Sequence, residues 1–86
     1  MNVTALKRDG TTLQVGDEVR CLLYKKLLHE EFVIEAINEN PGGCESGFLV
    51  VAHLKSDPLK RIAGFKKDGR DFIDGIDANW FEKIKN

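Results

Sequence analysis

Two cysteines and two histidines, Cys21, His29, Cys44 and His53, carry the most versatile side chains of this 86-residue chain. Thiolate and imidazole are the ligands that zinc selects, and four of them complete a tetrahedron. A structural zinc site takes its ligands in close pairs, about two to five residues apart. The steps from Cys21 to His29 and from Cys44 to His53 are too wide for that, and no CxxC occurs. The spacing therefore argues against zinc, and no cofactor is expected. Cys21 reads as a small buried strand residue, Cys44 as a loop thiol and the histidines as half-exposed. A nucleophilic Cys44, with His29 or His53 as base, needs a thiol activated by a helix N-terminus or a cation. The glycine-rich Pro41-Gly42-Gly43-Cys44 supplies neither, so a cysteine-dependent enzyme is the weakest function class. Nor is Gly42-Gly43 a phosphate loop, because no GK[ST] follows. Asp74, Gly75 and Asp77 read as turn and cap residues.

Charge is segregated. Residues 27–54 hold Glu30, Glu31, Glu35, Glu39 and Glu45 without a Lys or Arg, whereas residues 55–70 hold six cations against Asp57 and Asp68. Within the second stretch Lys60, Arg61, Lys66, Lys67 and Arg70 form a candidate phosphate track, with Phe65 available to stack a base. Lys and Arg total 13 against 14 Asp and Glu, however, for a net charge of −1. That balance opposes indiscriminate binding to nucleic acid. A solvated, charged sheet edge that resists aggregation is therefore the preferred reading of the segment.

These residues must be positioned by a single domain spanning 1–86, with one core. No apolar run approaches the roughly 20 residues that cross a bilayer. The first ten residues include Lys7, Arg8 and Asp9 and no apolar stretch. Neither membrane span nor signal peptide is expected. The expected address is the cytoplasm, with Cys21 and Cys44 reduced.

Turn signals at Asp9-Gly10, Gly16-Asp17, Asn40-Pro41-Gly42-Gly43, Asp68-Gly69 and Asp74-Gly75 alternate with short apolar runs, the pattern of an all-β fold. Asp9-Gly10 predicts a two-residue hairpin turn. Strand 18–24 follows, with Val19, Cys21 and Leu23 on one face and Arg20, Leu22 and Tyr24 on the other. Apolar pairs four apart also fit a helix over 22–32, but no capping residue precedes Leu22, and a polar loop over 25–30 is preferred. Residues 32–38 and 47–55 are the strongest strands, apolar at nearly every position as if covered on both faces. Ser56-Asp57-Pro58 predicts a helix of one or two turns, stopped by Gly64. A short hairpin is expected about Asp68-Gly69.

Two segments carry a family likeness. Leu13-Gln14-Val15-Gly16-Asp17-Glu18-Val19 resembles the opening of Src-homology-3-like barrels and of the related KOW and Tudor-type barrels. The run Gly75-Ile76-Asp77-Ala78-Asn79-Trp80-Phe81-Glu82-Lys83-Ile84 resembles their close: a glycine turn, a one-turn 3₁₀ helix at 77–80, an aromatic and a last strand. The likeness implies an all-β fold, a small Src-homology-3-like barrel of five or six strands with a short helical turn. It also implies that Trp80 walls a recognition groove, with Asn79 and Tyr24 nearby; the residues alone leave Trp80 open between that role and a core or core-lid position, and strand alternation puts Phe81 on the opposite, core face. The opening aromatic motif and the groove tryptophan of true Src-homology-3 domains are absent, and Asp77 replaces the Pro of their final turn. Proline-rich peptide binding is therefore not implied. The expectation is a non-enzymatic binding or assembly module of bacterial or phage type, with another protein as partner and nucleic acid as the alternative. The oligomeric state stays open.

Overall fold

In the computed structural model, residues 3–39, 42, 45–62, 66–67, 70–71 and 75–84 are described, without the side chains at 66–67 and 70–71. β1 (Ala5–Leu6) and β2 (Thr12–Leu13) form the expected first hairpin, with Ala5 opposite Leu13. Its turn holds three residues rather than two. The Gly10 N–H donates to the Lys7 carbonyl at 3.0 Å, and the Lys7 N–H to the Thr11 carbonyl at 2.8 Å. Gly10 takes φ +89°, the left-handed residue that follows a type I turn in such loops.

After the reversal at Gly16-Asp17 come β3 (Glu18–Cys21), β4 (Phe32–Glu39) and β5 (Phe48–Leu54). The β4–β5 hairpin is the longest ladder, and both strands match the expectation from their Val, Ile and Phe content. Val50, Val51 and Ala52 are all buried, so the middle of β5 is covered on both faces. Glu35 is a bulge: Ile34 faces Ala52 and Ala36 faces Val51. The extra residue shifts the side-chain alternation by one. Phe32, Ile34 and then Ile37 consequently all reach the core.

Two elements differ from expectation. β3 stops at Cys21 instead of continuing to Tyr24; the last bond in register with β10 runs from the Leu22 N–H to the Trp80 carbonyl at 2.7 Å, and beyond it the chain leaves the sheet. The following segment is a loop with one 3₁₀ turn, Lys25–Leu27, and not a helix over 22–32. The helix expected from Ser56-Asp57-Pro58 is absent. Lys55 and Ser56 form a turn instead, and β6 (Asp57–Ile62) returns antiparallel along β5, with Ile62 opposite Ala52. The second half of β5 offers unpaired backbone groups, and satisfying them outweighs one turn of isolated helix. Pro58 is tolerated because β6 is an edge strand.

β7 (Lys66–Lys67) and β8 (Arg70–Asp71) pair as a separate hairpin. The expected Asp68-Gly69 turn lies outside the described residues, as do Asn40, Pro41, Gly43, Cys44, Gly64, Phe65 and Asp74. β9 (Ile76–Asp77) pairs with the first half of β5. A 3₁₀ turn, Ala78–Trp80, then leads into β10 (Phe81–Lys83), which pairs with β3. The main sheet runs β10-β3-β4-β5-β6, with β9 sharing an edge of β5, and its ladders do not close into a ring. The link from β9 to β10 is the chain itself.

Leu13, Val19, Cys21, Phe32, Ile34, Val50 and Phe81 are the largest fully buried side chains. They form one core, which Ala5, Ile37, Ala52, Ile76 and Ala78 complete. The radius of gyration, 12.0 Å, is that of a compact chain of this length.

Candidate functional site

Asp77 organises the most built part of the surface. Its Oδ1 accepts the Asn79 N–H at 3.0 Å and caps the 3₁₀ turn, while its Oδ2 accepts the Glu45 N–H at 3.0 Å. Asp77 thus fastens the loop before β5 to the turn before β10. Asn79 makes the second tie. Its Oδ1 accepts the Arg8 N–H at 2.8 Å and draws the tip of the first hairpin toward the same turn. The Arg8 guanidinium then reaches Glu45 at 3.0 Å across the gap. The Asn79 Nδ2 is buried and without a hydrogen-bond partner among the described residues.

These ties frame a shallow concavity of about 440 Å³. Lys7, Arg8 and Asp9 form its hairpin wall, Glu45 the loop wall, Asn79 and Trp80 the turn, and Leu22 and Glu82 the flank. Trp80 is 45% exposed and Leu22 39%, whereas Phe81, the next residue after Trp80, is fully buried. The two aromatics therefore serve opposite faces, Trp80 at the end of the turn and Phe81 at the start of β10. A hydrogen bond from each Thr11 donor, N–H at 2.9 Å and hydroxyl at 2.6 Å, holds the Asp9 carboxyl below its ordinary range. Asp9 thus stays ionised, 3.6 Å from the Lys7 ammonium on the same wall.

Of the three residues expected to bind a partner, Asn79 and Trp80 line this concavity and Tyr24 does not. Tyr24 lines a separate depression with Leu23, Lys25, Lys26 and Leu27 and packs on the core. Burial, with a smaller push from Cys21, raises its phenol. Asn79 also differs in role, since its carbonyl serves an internal tie. Lys7, Arg8, Asp9, Leu22, Glu45 and Glu82 were not singled out as site residues. The available signal was Leu22, an apolar residue on the outward face of its segment.

Of the basic residues, Lys60 and Arg61 lie exposed on β6, with the Arg61 Nε donating to Glu35 Oε1 at 3.0 Å. His53 Nδ1 lies 3.3 Å from the same oxygen, so the Glu35 bulge serves an interstrand cluster. Lys66, Lys67 and Arg70 are placed on β7 and β8 by their backbones alone.

Cys21 is free and fully buried, and loss of solvent pushes its thiol pKa up. Among the described residues no three His, Cys, Asp or Glu side chains gather to hold a metal. No described helix is long and apolar enough to cross a membrane. Compared with known protein families, curated proteins and solved structures, the chain finds no match.

Proposed function

We propose that the chain is a non-enzymatic binding and assembly module of the cytoplasm, a partly closed Src-homology-3-like barrel that holds a segment of another protein against Trp80. The observation carrying this reading is the pairing of a 45% exposed Trp80 and an exposed Leu22 on one concavity, beside a fully buried Phe81. Tryptophan is a preferred anchor of protein interfaces, and its exposure here is not needed for the core. The barrel reading is supported by the course of β9, the 3₁₀ turn and β10, which carries the chain from β5 round to β3. A nucleic-acid role for Lys60, Arg61, Lys66, Lys67 and Arg70 draws less support, because Arg61 is already held by Glu35. A photo-crosslinking amino acid at Leu22, introduced in living source cells, tests the reading. A discrete protein adduct that disappears with Trp80→Ala, in a chain that stays folded at the labelling temperature, is the expected result. Adducts with nucleic acid, or the same adduct with both chains, would refute it.

A further inference from the structure

Leu59 is 91% exposed, the highest value among the large apolar residues described. Its projection is built into β6. Where β5 passes directly from His53 to Leu54, β6 passes from Arg61 to Asp57, so Pro58, Leu59 and Lys60 are extra residues pushed out of the ladder. The loop-out is braced. Asp57 Oδ1 accepts the Leu59 N–H at 3.2 Å, and Pro58 between them has a fixed φ. A side chain held outward in this way loses little conformational freedom when it docks.

The concavity at Trp80 has complementary chemistry. Leu22 and Trp80 offer an apolar surface, and Glu82 beside them lies opposite Arg20 of β3 without an ion pair within 4.0 Å to a described residue. Lys60, next to Leu59, likewise makes none and is exposed. The projection and the concavity occupy opposite ends of β5, near Leu54 and near Leu49. A chain therefore presents both halves of the contact at once.

We propose that Leu59 of one copy seats against Leu22 and Trp80 of a second copy, with Lys60 facing Glu82, so that copies associate head to tail. This rests on the reading of the concavity as a protein-binding site and names its occupant. Used head to tail, the contact is heterologous and propagates into rings or open chains; used reciprocally, the same residues would close a two-fold dimer, so an assembly that stops at dimer counts against the head-to-tail arrangement. One apolar anchor and one exposed ion pair make a weak interface, and salt weakens it further.

Sedimentation velocity of the full chain, from about 10 μM to about 1 mM, tests this in the range of small interfaces. The expected result is association that grows with concentration and passes beyond dimer. Leu59→Asp and Trp80→Ala should each weaken it by about tenfold or more, as loss of an interface anchor does. Lys60→Glu should also weaken it, and Lys60→Glu with Glu82→Lys should restore it. Mixing Leu59→Asp with Trp80→Ala should give a 1:1 pair that grows no further, because each chain keeps one intact half. Melting temperatures confirm that each variant is folded. A wild-type chain monomeric at about 1 mM overturns the proposal, as does association indifferent to Leu59→Asp. If the Leu22 crosslink still captures a different protein in a Trp80-dependent way, self-association falls and the binding reading stands. If it captures nothing, both fall.

Discussion

Adjacent residues 80 and 81 divide stability from recognition. Phe81 is fully buried, so Phe81→Ala should lower stability by about 3–5 kcal/mol, read from chemical denaturation. Trp80 keeps nearly half its surface in water, and Trp80→Ala should cost clearly less, about 1–2 kcal/mol. Cys21 supplies a pH test. Its folded-state pKa is raised, so its contribution to stability is complete below the ordinary thiol range and is lost as pH rises through the raised value. Tyr24, raised by burial, and Lys55, raised by its hydrogen bond to Glu18, act in the same direction. Stability should therefore fall between about pH 8 and about pH 11. In a Cys44→Ser background, Cys21→Ala should flatten the onset of that fall. A thiol reagent should label Cys21 only as fast as the domain opens.

At the scale of elements, Gly75 is tightly placed. It has φ +119°, and a Cβ there would meet the Val50 carbonyl oxygen at 2.7 Å, where β9 lies along β5. Gly75→Ala should cost about 2 kcal/mol or more and loosen the final turn. Gly16, with φ +95° and open space around its Cα, should lose only about 1 kcal/mol on the same change. A comparison of melting curves decides between strain and collision. The strands over 32–39 and 48–54 were legible because hydrophobic pattern and β-branched content agree there. The first hairpin was legible because Asp9-Gly10 carries local turn chemistry; Asp77 was legible as a cap, and the 3₁₀ turn it caps followed from the likeness of residues 75–84 to a barrel's close. Asp57-Pro58 misled for the same reason: the local signal fits a helix start, and only the free edge of β5, distant in sequence, decides for a strand. The concavity was half legible. Trp80 and Asn79 stood out, but Leu22, Glu45 and Glu82 meet them only through pairings that no local pattern encodes.

For the whole molecule, the balance of charge matters more than the basic stretch. With a net charge of −1 and Arg61 and Lys55 already paired to Glu35 and Glu18, the chain should bind oligonucleotides weakly at physiological salt. Fluorescence anisotropy with labelled DNA and RNA checks this. A submicromolar complex that collapses on Lys66→Glu with Lys67→Glu would make the basic edge the leading surface.

The path of residues 75–84 bears on how the protein is made. β9 lies on β5, β10 lies on β3, and Ile76, Ala78 and Phe81 complete a core whose other members come from earlier in the chain. While this segment is still inside the ribosomal exit tunnel, β3 lacks one neighbour and the core lacks Phe81. Each ladder it forms is long-range, so little folding energy is available until the loop is closed. A nascent chain stalled with residue 75 at the tunnel mouth should be protease-sensitive. One extended far enough to free residue 84 should become resistant in a single step.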